Sequence, residues 1–213
     1  MPTLTNKLKE EYKLMFDTCA IDEDRLEEIE AIILRMEANV LSYKSIASAV
    51  KAPWYFIAGL HNMESGMNFN THMHNGDPLT ARTTHVPKGR PATGEPPFTF
   101  TASAIDAMKH KHFDTHESWL LPEILFRTEL YNGWGYRKHA IYSPYLWAGS
   151  NHYTKGKYVA DGQFSSTAVS KQIGAAVILR RMAEKGLIRF EEDNLKDKMC
   201  IRDRNQTRHQ MGR

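Results

Sequence analysis

Glu64 carries the strongest chemical signal in the chain. Ile57, Leu60 and Glu64 fall on one face of a helix by i, i+3, i+7 spacing. That face is otherwise apolar, so the carboxyl group is turned toward a core or a cleft wall. Burial disfavours the charged form of a carboxylate and raises its pKa. Glu64 also sits in the last helical turn, where the negative end of the helix dipole opposes another negative charge. Both effects hold a glutamic acid protonated near neutral pH, as a general acid needs in order to protonate a leaving glycosidic oxygen. A solvated helix-end glutamate is the competing reading. A hydrolase needs a second carboxylate, as base or nucleophile. Asp77, in the tight turn Asn75-Gly76-Asp77-Pro78 just past that helix, is the candidate, although Asp before Pro is also plain turn chemistry. Asp161 and Glu129 come after it, and Glu129 has the alternative of cross-linking a cleft through buried hydrogen bonds.

Six of the nine tyrosines and two of the four tryptophans lie between Tyr131 and Tyr158. Aromatic faces stack on the apolar faces of sugar rings, while Asn and Tyr polar groups reach hydroxyl and N-acetyl groups. Tyr131, Asn132, Tyr136, Tyr145, Trp147 and Tyr153 are therefore placed along an oligosaccharide cleft, with some of them expected to be core. His72-x-His74 on an extended strand would put two imidazoles on one face, and His85 or Asp77 could complete a metal site. That arrangement would suggest a zinc peptidase or amidase. The chain has no HExxH and no Cys pair at ligand spacing, so neither metal nor cofactor is expected. A non-catalytic glycan or nucleic-acid binding module is a third class. A nucleic-acid binder should concentrate Lys and Arg in a stripe; here they are scattered, and no nucleic-acid partner is expected.

The elements that must position these groups are mostly helical. Asp22 can cap a helix to about Asn39, with Leu26, Ile29, Ile32, Ile33 and Met36 at helical spacing. Ser42 to Val50 reads as a second, short helix. Pro53 suits a first turn, Trp54 to Glu64 forms the helix that carries the acid, and Gly66 is placed to end it in a left-handed cap. The periodicity stops from Met67 to Phe100, where turn residues and Pro87, Pro91, Pro96 and Pro97 predict a small irregular β-hairpin region with a long loop. Helices are expected again over Ala102 to His110, Glu117 to Leu130 and Ser166 to Lys185, with Tyr131 to Tyr158 as loop. With no repeat and no linker visible, residues 1–192 read as one mainly α domain with a small β-hairpin element, and 193–213 as a polar tail. The string Met199-Cys200-Ile201-Arg202-Asp203-Arg204 resembles translated sequencing-adapter sequence, which would put the native end near Lys198.

Composition narrows the class. The 213 residues are 41% hydrophobic and 25% charged, enough apolar material for a core. The net charge of +3, with ten histidines in reserve, suits a polyanionic partner such as a bacterial cell wall. Two cysteines, Cys19 and Cys200, rule out a disulfide-rich scaffold. Met1 to Asp17 has no apolar core of a signal peptide, and no run approaches the ~18 apolar residues of a membrane span. A soluble monomer with no membrane partner is expected.

Two short segments carry a family resemblance. Glu64-Ser65-Gly66-Met67-Asn68, at the end of its helix, resembles the Glu-Ser-Gly-x-Asn signature of soluble lytic transglycosylases and goose-type lysozymes. Farther on, Glu129-Leu130-Tyr131-Asn132-Gly133-Trp134-Gly135 is similar to the Tyr-Asn-x-Gly element that lines their sugar cleft. The resemblance implies a lysozyme-like fold, Glu64 as the catalytic acid, and Ser65, Glu129, Tyr131 and Asn132 at the substrate. It implies cleavage of the β-1,4 bond between N-acetylmuramic acid and N-acetylglucosamine, with peptidoglycan strands as partner. In phage-type lysozymes the acid is followed in a hairpin by an aspartate and then a threonine, which implies Asp77 and one of Thr80, Thr83 or Thr84. With no signal peptide and no wall-binding domain in view, the resemblance points to an endolysin released onto the wall. Residues 67–100 depart from the transglycosylase pattern, so hydrolysis and transglycosylation both stay open, with chitin cleavage a further choice.

Overall fold

The computed structural model describes residues 2–160 and 162–191. The described residues are mainly helical with one small antiparallel sheet. Among the described residues eight α-helices follow one another: α1 Asn6–Asp17, α2 Leu26–Ala38, α3 Val40–Val50, α4 Trp54–Ser65, α5 Phe100–His110, α6 Leu121–Asn132, α7 Pro144–Trp147 and α8 Ala175–Glu184. The sheet pairs β1 Lys157–Ala160 with β2 Gln163–Ser165.

The central element is α4. Every residue from Tyr55 to Met63 is buried, and a helix that is apolar around its whole circumference belongs in the middle of a core. It packs against α2, α3, α6 and α8. The surrounding helices each offer one apolar stripe: Ile29, Ile33 and Met36 from α2, Tyr43, Ile46 and Val50 from α3. One continuous apolar cluster runs from Tyr12 to Ile188. Residues Met1 to Asp17, expected only as a polar start, contain α1. Thr5 caps it by accepting from the Leu8 amide at 3.2 Å, and Tyr12, Met15 and Phe16 bury one face of it, chiefly against α6.

The expected boundaries hold for the middle helices and move at others. Asp22 makes no side-chain cap; a 3₁₀ turn, Glu23–Arg25, precedes α2. α6 starts at Leu121 rather than Glu117, because Pro122 favours a first helical turn there. The last helix is half its expected length: the chain stays irregular to Gly174, whose amide bonds the Ala148 carbonyl at 2.8 Å, and turns helical only after it.

The β-hairpin is not where residues 67–100 predicted it. That stretch holds a single bridge, Thr71 to Pro78, and otherwise no strand. Prolines lack the amide a ladder needs, and side chains do the pinning instead. The Arg82 guanidinium bonds the Pro91 and Gly94 carbonyls, and Arg90 forks onto Asp106 of α5 at 2.8 Å through both Nε and Nη2. The actual hairpin begins at the end of the segment expected as loop and finishes just before the expected last helix. Tyr158 opposes Phe164 across it, and Gly162 turns it with φ +67°. The polar tail 193–213, Cys200 with it, lies outside the described residues.

Candidate active site

α4 ends where the sequence expects, and its end places the acid. Gly66 takes φ +58°, its amide bonds the Asn62 carbonyl at 3.0 Å, and the Met67 amide returns to His61 at 3.2 Å. Glu64 stands half-buried in that final turn. The Tyr145 hydroxyl, from the otherwise buried α7, donates to Glu64 Oε1 at 2.6 Å. Asn132, the last residue of α6, and the charge of Lys111 also favour the ionised carboxyl. Burial is the largest influence and raises the carboxyl pKa; Tyr145, Lys111 and Asn132 pull it back without cancelling the rise. A shifted carboxyl in a polar niche at a helix end is what an acid-donating group requires. Among the described residues no second carboxylate contributes to the shift.

The meeting of α4, α6 and α7 depends on Gly133. A β-carbon there would lie 2.6 Å from Ser143 Oγ and 3.2 Å from both Glu129 Cγ and Tyr145 Cβ. Without a side chain, the end of α6 can lie against α7, and Asn132 and Tyr145 converge on Glu64. From this junction a cleft of about 750 Å³ opens, lined by Asn132, Trp134, Tyr136, Tyr145 and Tyr158 among others. Met63 lines it too; Glu64 is not among the lining residues and is linked to the cleft wall through Tyr145. Its aromatic wall is braced. The Tyr136 hydroxyl accepts from the Tyr158 amide at 3.3 Å, Tyr136 and Tyr158 meet edge to face at 5.2 Å, and Arg137 lies 4.9 Å over the Trp134 ring.

The other expected residues divide. Asn132, Tyr136 and Tyr145 line the cleft. Tyr131 stands behind it: its hydroxyl donates to the Met73 carbonyl at 2.9 Å, and Lys111 Nζ lies 5.0 Å over its ring. Three of the expected residues are engaged within the protein. Glu129 is 2% exposed and saturated by Arg137 Nε and Nη2, at 3.0 and 2.8 Å, and by the Tyr12 hydroxyl, so it ties α6 to α1 instead of meeting a ligand. Trp147 is core, because α7 turns it inward against the His152 ring. Tyr153 spends its hydroxyl on the Gly156 carbonyl and the Ser170 amide. Ser65 bonds back to the His61 carbonyl at 3.4 Å, and Thr80 is exposed with no side-chain hydrogen bond among the described residues.

Asp77 belongs to the long loop. Its turn does reach the acid's backbone, since a β-carbon on Gly76 would lie 3.9 Å from the Glu64 carbonyl. The carboxylate, 8% exposed, is taken up locally: Oδ2 accepts from the Thr84 and His85 amides at 2.7 and 3.0 Å, and Oδ1 from His85 Nδ1 at 2.6 Å. Burial opposes its ionisation, but these donors outweigh burial and hold its pKa well below the usual carboxylate range. Asp161 lies outside the described residues.

The histidine pair is a brace rather than an open site. His72 Nε2 meets the Ala81 carbonyl and Nδ1 the Ser103 hydroxyl, both at 2.8 Å, while His74 Nε2 meets Asp106 at 2.8 Å. Among the described residues no group of three His, Cys, Asp or Glu side chains could hold a metal ion. No helix of the described residues is long and apolar enough to cross a membrane.

Sequence reasoning missed Lys111, Trp134, Lys138 and Tyr158. The two aromatics stood inside the segment it singled out; nothing in the sequence connects Lys111 with Glu64. No family model, curated protein or solved structure matches the chain.

Proposed function

We propose that the chain is a glycosidase that cleaves the β-1,4 bond between N-acetylmuramic acid and N-acetylglucosamine in peptidoglycan, with Glu64 as general acid. The reading rests on one observation above the rest. A half-buried carboxyl with a raised pKa, bonded by Tyr145, adjoins an aromatic-lined cleft whose wall includes Tyr145 and Asn132. In this reading the strand lies along Trp134, Tyr136 and Tyr158. Asn132 reaches an N-acetyl or hydroxyl group, and Glu64 gives its proton to the leaving oxygen as the oxocarbenium-like centre develops. Tyr145 keeps the carboxyl in one rotamer and takes part of the negative charge left on it.

One observation favours a second route for the other half of the reaction. Hydrolysis through Asp77 would need that carboxylate to abandon its three short bonds to Thr84 and His85. Attack by the substrate's own hydroxyl, as in lytic transglycosylases, needs no second carboxylate. Mass spectrometry of digested peptidoglycan tests both. Products with ordinary reducing ends mean hydrolysis, and 1,6-anhydro ends, lighter by one water, mean transglycosylation. No release of disaccharide-peptides by the wild-type chain, under conditions where a known muramidase releases them, refutes the proposal.

A further inference from the structure

The cleft has a charge as well as a shape. Two lysines line it, Lys138 from the 3₁₀ turn Trp134–His139 and Lys157 at the start of β1, and no Asp or Glu stands among the described residues that line it. Lys138 has a side-chain contact, and Lys157 is placed by its strand. Lys138 Nζ lies 5.5 Å over the Tyr158 ring, and Lys157 is half-buried with its backbone paired to Ser165 across the hairpin. Among the described residues the lysine ion pairs are those of Lys9, Lys13 and Lys185, and neither cleft lysine is paired with a described carboxylate. A lysine that already rests on an aromatic face loses less side-chain freedom when a ligand anion arrives.

From this arrangement we infer that Lys138 and Lys157 are specificity residues that select a glycan bearing carboxylates over an uncharged one of the same backbone. The inference rests on the glycosidase reading above and refines it. Trp134, Tyr136 and Tyr158 offer faces to sugar rings without regard to charge, so a neutral β-1,4 N-acetylglucosamine polymer would be accepted equally by them. The lysines add the discrimination. The two cations stand on different elements, the turn and the hairpin, so they can contact carboxylates at two places along a strand. Lys111 extends the positive field to the other side of the junction, where its charge acts on Glu64.

The test is equilibrium binding by calorimetry with the full chain carrying Glu64→Gln, so that no probe is cleaved. Three probes are used: a soluble glycan tetrasaccharide with stem peptides whose carboxylates are free, the same compound with those carboxylates amidated, and chitohexaose. Two partly exposed ion pairs predict about fivefold to tenfold tighter binding of the free-carboxylate probe over the amidated one at low ionic strength. The gap should close near 1 M salt, where the screening length falls to about 3 Å. It should also vanish in Lys138→Gln/Lys157→Gln, with chitohexaose affinity and melting temperature unchanged. In turnover on peptidoglycan the double variant should raise KM and leave kcat alone. Equal binding of free and amidated probes, or a gap that survives the double substitution, overturns the assignment of the lysines and leaves the glycosidase reading standing. Failure of all three probes to bind overturns both.

Discussion

Replacing Glu64 by Gln separates chemistry from stability. The exchange keeps shape and volume and removes only the transferable proton. General acid catalysis is worth about 10²–10⁴-fold, which is about 2.7–5.4 kcal/mol of barrier at 1.36 kcal/mol per decade. Stability should move little, or upward. The folded chain raises the Glu64 pKa, chiefly by burial, so the proton is bound more tightly in the folded than in the unfolded state. Folding is therefore favoured while the group is protonated, and that advantage is lost as pH rises from the unfolded value toward the folded one. Above that window the wild type carries a carboxylate disfavoured by burial and by the helix end, the latter worth roughly 0.3–1 kcal/mol. Glutamine has no such charge, but turns the 2.6 Å bond from Tyr145 into a neutral one, weaker by about 1 kcal/mol. These contributions nearly cancel. Release of soluble muropeptides, followed by chromatography at matched protein concentration, gives the activity, and urea unfolding at pH 5 and pH 8 gives the stability. More than about a tenth of wild-type activity in the variant would place the acid elsewhere. A collapse in stability at both pH values would instead make Glu64 a structural residue.

Other expectations are narrower. Tyr145→Phe removes a hydrogen bond that favours ionised Glu64, so the basic limb of the pH–rate profile should move to higher pH and stability should fall by about 1–3 kcal/mol; an unmoved limb would show that the bond does not act on the catalytic group. Asp77→Asn should destabilise the long loop, because the depressed pKa of Asp77 marks stability present above the ordinary value near 3.8 and lost as pH falls below it. In denaturant titrations the variant should be weaker than wild type at pH 7 and converge with it in strong acid. His61 and His74 are buried and held down to about 4 from 6.5, burial being the main cause in each; stability should drop between pH 6.5 and 4 by roughly 3 kcal/mol per site, and a flat urea midpoint across that range would contradict it. Gly133→Ala should lower activity at least tenfold by driving a methyl group into Ser143, Glu129 and Tyr145; wild-type turnover would show that the convergence of α6 and α7 is not needed.

How far the sequence reached depended on the range of the interactions. The place of Glu64 in the last turn of its helix was legible because its signals are local: an apolar helix face, a helix end and a glycine cap within a dozen residues. The α4 boundaries, Gly66 in its left-handed conformation and the mainly helical class followed from the same short-range rules. The hairpin was misplaced because turn residues mark where a chain bends and not whether the flanks can pair; prolines denied residues 67–100 a ladder, while the quieter segment around Gly162 had free amides and facing aromatics. Which aromatics line the cleft could not be read from composition. Trp147 and Tyr145 lie two residues apart on α7, yet one fills the core and the other reaches Glu64. Asp77 and Glu129 were reasonable carboxylates by position, and only the tertiary structure assigned them to His85 and to Arg137. Helix ends and caps are written in neighbouring residues; the partner of a buried charge is chosen by whatever the fold brings beside it, in this case from 8 and up to 117 residues away.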